Sequence, residues 1–98
     1  MKLNNKTLAL FGTSADPPTL GHQKIIEELS KIYNFVICYA SNNPSKKHGE
    51  NLYSRSLLLK TLIEDLNNPK ILYDQELSSN WAINSVKKCQ EKYNIKKI

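Results

Sequence analysis

One junction limits what this chain can become: an apolar run, Thr7-Leu8-Ala9-Leu10-Phe11, gives way through Gly12-Thr13-Ser14-Ala15-Asp16-Pro17-Pro18-Thr19-Leu20-Gly21-His22 to an amphipathic segment. A short apolar run of this kind suits a strand buried on both faces of a parallel sheet. Beyond the loop, Ile25, Ile26, Leu29 and Ile32 recur at the spacing of one helical face, so a helix is expected from near Gly21. A loop leaving the carboxyl end of a parallel strand and entering a helix lies at the crevice where α/β folds bind ligands. The unpaired N–H groups and partial positive charge of the helix start favour an anion there, phosphate above all.

The residue types in the loop agree with that reading. Gly12 allows close approach of the backbone, Thr13, Ser14 and Thr19 carry hydroxyls, and Pro17-Pro18 restricts the chain. Thr19-x-Gly21-His22 sets a hydroxyl and an imidazole at one mouth, with Gly21 keeping the space between them clear.

The rest of the chain repeats the pattern. Phe35-Val36-Ile37-Cys38-Tyr39-Ala40 is a second strand; Leu58, Leu62 and Leu66, broadened by Leu59 and Ile63, mark a second helix that ends at Asn67-Asn68-Pro69. Lys70-Ile71-Leu72-Tyr73 is a short third strand. After cap-forming Ser78, Ser79 and Asn80, a third helix carries Ala82, Val86, Cys89 and Tyr93 on one stripe. The order βαβαβα implies an α/β fold, a Rossmann-like half with a short parallel sheet.

The 98 residues suit a single domain. No apolar run is long enough to span a bilayer and none suits secretion, which makes the cytoplasm the expected location. Cys38 and Cys89 lack paired-cysteine or Cys/His spacing, so metal-site and disulfide readings gain no support and both read as small buried residues. The net charge of +5 is concentrated after Val86, where five lysines meet the single acid Glu91. With Arg55 as the only arginine, this reads as a solvated helix face and weighs against a nucleic-acid partner. No G-x-G-x-x-G is present, so a bound dinucleotide is not indicated.

The junction resembles the nucleotidyltransferase motif G-G-[ST]-F-D-P-x-[HT]-x-G-H, departing from it at Thr13 and Ala15. Within that superfamily the sequence is most similar to nicotinate-nucleotide adenylyltransferases, especially the cyanobacterial type, and it corresponds to their amino-terminal half. The resemblance implies adenylyl transfer from ATP, with Mg²⁺, to nicotinate mononucleotide. Gly12, Thr13, Ser14, Thr19, Gly21 and His22 would bind ATP, and Thr19 and His22 would be catalytic. In the loop Asn42–His48, Lys46 or Lys47 would neutralise a substrate phosphate, an ordinary basic surface loop being the rival reading, with His48 as a further contact or an ordinary surface residue.

The segment around Trp81 resembles the family's S-[YW]-T-x-x-T stretch, which implies that Trp81 and Ser85 shape the nicotinate side; core packing is the rival reading of Trp81. Arg55 reads either as the family's helix arginine or as an exposed structural ion pair, the latter slightly favoured. The family's later G-x-D strand and I-S-S-T-x-x-R segment have no counterpart, which leaves Thr7–Phe11 as an apolar edge open to self-association or a complementing chain. The sequence leaves two other readings open: a phosphopantetheine adenylyltransferase, and a non-catalytic nucleotide-binding fragment that depends on a partner.

Overall fold

Six consecutive β-forming residues, Phe35–Ala40, make the spine of the fold, and five of them are buried. In the computed structural model, which describes residues 7–15, 20–42 and 51–94, this strand is β2. It lies between β1 (Leu8–Thr13) and β3 (Ile71–Tyr73), and both pair with it in parallel. The helices are α1 (Leu20–Ile32), α2 (Leu52–Leu66) and α3 (Ala82–Tyr93), with a single 3-10 turn at Gln75–Leu77. Among the described residues the order is βαβαβα with a three-stranded parallel sheet, as the sequence predicts.

Side chains alternate across a strand, and β2 uses both faces. Val36, Cys38 and Ala40 join Ile26 of α1 and Leu59 and Ile63 of α2 in one core. Ile37 and Tyr39 join Leu77, Cys89 and Tyr93 in the other. Helices α1 and α2 thus cover one side of the sheet and α3 the other, which explains why the middle strand is apolar without alternation.

Several boundaries and faces differ from the sequence reading. β1 continues through Gly12 and Thr13, which were expected in the loop, because β2 is long enough to pair with them: Gly12 stands opposite Tyr39 and Thr13 opposite Ala40. In α1 only Ile26 is fully buried and Leu29 partly so, while Ile25 and Ile32 are exposed. The helix meets the sheet along a row narrower than its apolar face. Ile25, Leu29 and Ile32 instead line an open groove with Gly21, Lys24 and Glu28.

In α2 the inward row is Arg55, Ser56, Leu59 and Ile63, supported by Leu62 and Leu66, and Leu58 faces outward. The inward residues of α3 are Ser85, Cys89 and Tyr93, with Val86 half-buried. Trp81 takes the N-cap position expected of Ser78, Ser79 or Asn80, without a side-chain cap bond. Among the described residues no helix is long and apolar enough to cross a membrane, and β1 has a strand neighbour on one side only.

Candidate active site

In a parallel sheet the strands end on one rim, and the helices that follow them begin there. On this rim lie Ser14 after β1, Ser41 after β2 and Asp74 after β3, together with the first turns of α1, α2 and α3. Gly21 and His22 occupy the first turn of α1, at a helix start with no acidic residue. The His22 ring meets Phe11 of β1 edge to face, with centroids 6.5 Å apart and planes at 60°, so the imidazole packs against the strand.

The loop between strand and helix is shaped by contacts that the sequence pattern does not reveal. Gly12 is required by a neighbour: a Cβ there would lie 2.5 Å from Oη and 2.6 Å from Cζ of Tyr39. Its role in this structure is to admit an aromatic ring across the ladder. The hydroxyl of Thr13 is buried and accepts the N–H of Ala15 at 3.3 Å. Ala15 itself is fully buried at φ 49°, a left-handed conformation that turns the chain sharply out of β1. The carbonyl of Ser14 points back into the protein, to Arg55.

Arg55 is the residue that sequence reasoning placed least well. Its side chain is 1% exposed rather than part of a surface ion pair. Nη1 donates to Ser14 O at 2.9 Å and to Ser41 O at 2.8 Å. One guanidinium therefore joins the first residues beyond β1 and β2, a task for which its rigid, permanently charged fork is suited. The helix that carries it starts at Asn51, whose side chain accepts the N–H of Ser54 at 2.8 Å. A lone arginine in a lysine-rich chain was the available signal.

Beyond β3, Asp74 is 8% exposed and gathers three donors: Tyr93 Oη at 2.5 Å, Lys92 Nζ at 2.8 Å and the Glu76 N–H at 3.1 Å. Burial alone would raise its pKa, but the bonds from Lys92, Tyr93 and Glu76 outweigh burial and hold it below the ordinary carboxylate range. Tyr93 is pushed up by burial and by its bond to Asp74, and Lys92 is held protonated by Asp74 and Glu76. The cluster fastens the last turn of α3 to the end of β3. Burial pushes the Cys38 thiol up to about 12 and the Cys89 thiol to about 11, the latter aided by the Asp74 charge; both cysteines are free.

Of the residues expected in the site, Gly12 and Thr13 are the last two of β1, Ser14 follows them, and Gly21 and His22 lie in the first turn of α1, where His22 meets Phe11. Trp81 stands at the start of α3 with its ring half-exposed, so it is not a core residue. Ser85 is 1% exposed and its hydroxyl meets Ser79 Oγ at 3.1 Å, inside the fold. Thr19, Lys46, Lys47 and His48 lie outside the described residues. Among the described residues no three His, Cys, Asp or Glu side chains converge in a way that could hold a metal ion.

Comparison with known proteins gives this geometry a context. The family model described as cytidylyltransferase-like matches residues 10–96. A protein of Synechocystis sp. named as a probable nicotinate-nucleotide adenylyltransferase is 33% identical over 97 residues, covering 90% of this chain and 48% of its own length. A phosphopantetheine adenylyltransferase of Vesicomyosocius okutanii is 34% identical over 67 residues, covering 68% of this chain and 42% of the relative.

Among solved structures, a Vibrio parahaemolyticus protein assigned as a nicotinate-nucleotide adenylyltransferase superposes with a TM-score of 0.70 at 27% identity. That match covers 92% of this chain and 57% of the other. The chain thus spans about half the length of the relatives it matches.

Proposed function

The chain belongs to the cytidylyltransferase-like family, and from that premise we propose that it forms the ATP-activating half of an adenylyltransferase that uses nicotinate mononucleotide as acceptor. The observation that carries this reading is the joint placement of Gly21 and His22, in the first turn of α1, at the carboxyl end of β1. The arrangement suits a triphosphate, because helix N–H groups and an imidazole can donate to oxygens on which negative charge grows.

In the proposed reaction an oxygen of the mononucleotide phosphate attacks the α-phosphorus of ATP. The new P–O bond replaces the bond to the β-phosphate, and pyrophosphate leaves with its electron pair to give nicotinate adenine dinucleotide. The protein holds the two phosphates in line and offsets their charge, without a covalent intermediate. His22 donates to the phosphate oxygens, and Thr19 is assigned a second donor role from its place in the motif. The exposed face of Trp81 stacks on the pyridine ring, and Lys46 and Lys47 offset the acceptor phosphate. Mg²⁺ would arrive with ATP and would offset charge on the triphosphate.

The test is pyrophosphate release from Mg-ATP by the 98-residue chain, with nicotinate mononucleotide and phosphopantetheine offered side by side. The reading expects ATP uptake with only weak release from this half alone, confined to the mononucleotide, and robust turnover refutes the half-enzyme reading. A preference for phosphopantetheine favours the second reading, which the shorter matches to enzymes of that name support. ATP uptake without release under either acceptor makes the chain a nucleotide-binding fragment, and no ATP uptake overturns the proposal.

A further inference from the structure

The backbone ladder between β2 and β3 stops short of the rim, and a side chain completes it. The register ends with Cys38 opposite Tyr73, after which the Asp74 N–H donates to Cys38 O at 3.0 Å and the chain turns away. Ala40, two residues farther along β2, presents its N–H and carbonyl to the same side, beyond the last residue of β3. The amide of Gln75 fills the gap: Nε2 donates to Ala40 O and Oε1 accepts the Ala40 N–H, each at 2.8 Å. The Tyr73 hydroxyl donates to the same Oε1 at 3.2 Å, so the orientation of the amide is determined at both ends.

From this pairing we propose that Gln75 is a positioning residue for the acceptor side of the site, setting the segment 78–81 and the Trp81 ring against the end of β2. Assignment to the acceptor side rests on the adenylyltransferase reading; the positioning rests on geometry alone. Between Gln75 and Trp81 the chain is held by short-range bonds, Ser78 N–H to Gln75 O at 3.1 Å and Ser79 Oγ to Trp81 O at 2.6 Å, and is tied to α3 by Lys88 Nζ to Ser78 O and by the Ser79 and Ser85 hydroxyls, each at 3.1 Å. These bonds shape the segment but do not attach it to the sheet. Leu77, 1% exposed, anchors it by burial, and burial is non-directional. The two bonds from Gln75 to Ala40 are directional and supply the register. A glutamate would reach as far but has no N–H, and would set a carboxylate oxygen against the Ala40 carbonyl.

The test uses the full 98-residue chain and compares the wild type with Gln75→Glu and with Gln75→Met, which keeps the length without polar atoms. Trp81 is the only tryptophan, so acrylamide quenching of its emission reports on the segment, and amide exchange at Ala40 and residues 76–81 reports on the attachment. We expect both to rise in the two variants, exchange by ~10-fold, the equivalent of losing one buried pairing. Affinity for nicotinate mononucleotide should fall by a similar factor while affinity for Mg-ATP stays within about two-fold.

Folded variants with wild-type exchange and quenching overturn the proposal, as does an equal loss of both ligands. If Gln75→Glu does not fold, Gln75→Met decides. If the wild type binds neither nucleotide, the functional reading fails, and exchange and quenching alone decide whether Gln75 positions the segment.

Discussion

The ring of Tyr39 occupies the space in which a side chain on Gly12 would begin, with its hydroxyl oxygen 2.5 Å from the ideal Cβ position. Gly12→Ala therefore forces the buried ring aside. We expect a loss of ~1–3 kcal/mol in urea unfolding, the usual cost of overpacking. The loss should shrink when Tyr39 is also replaced by Ala, and an unaltered unfolding midpoint for Gly12→Ala contradicts the packing argument.

Arg55→Lys keeps the charge but not the fixed planar Nη1 whose two N–H groups serve Ser14 O and Ser41 O. We expect at least ~1.5 kcal/mol of destabilisation, since bonds from a charged donor to buried carbonyls are lost or bent. Arg55→Met should cost more, because both carbonyls then lose the guanidinium. Denaturant melts of the two variants check the order.

Asp74 makes stability depend on acidity with a definite sign. Its carboxyl titrates below the ordinary value of about 3.9 in the folded chain. Its contribution is therefore complete above that ordinary value and disappears as the pH falls through the lowered one. Asp74→Asn should be less stable than the wild type at pH 7, with the gap narrowing as the pH drops below about 4. A gap that widens in acid refutes the assignment.

Cys38 and Cys89 are both fully buried, with thiols pushed up to about 12 and about 11. The reactive thiolate is scarce in the folded state. Labelling by a disulfide reagent at pH 8 should follow unfolding, accelerating with urea in step with the equilibrium constant. Rapid labelling of the native chain would place one sulfur at the surface.

On the proposed reading, His22→Ala in a complete enzyme should lower kcat for adenylyl transfer by ~10²-fold or more, the scale for losing one donor to a developing charge. Steady-state pyrophosphate release measures it. Unfolding should change little, because His22 is only half-buried against Phe11.

The strand Phe35–Ala40 is legible to the residue, since a central parallel strand needs apolar side chains on both faces. The element order and the start of α1 are legible for the same reason. The inward face of α1 is not: composition makes Ile25 and Ile32 as suitable as Ile26, and only the line of contact with the sheet selects Ile26. Arg55 stands out as the lone arginine, but its burial is not legible, because its partners lie 41 and 14 residues away in sequence and a cation among leucines looks like a surface residue. Gln75 gives no periodic signal either, as its partner is a backbone 35 residues upstream. Ser85 carries the hydroxyl its resemblance asks for, but packing turns that hydroxyl inward to Ser79.

Arg55 and Gln75 grip only main-chain atoms, the carbonyls of residues 14 and 41 and both polar groups of residue 40. Every amino acid supplies a carbonyl, so the clamps are indifferent to which side chains residues 14 and 41 display. The lip of this rim can be respelled at those positions while the frame beneath it keeps its shape.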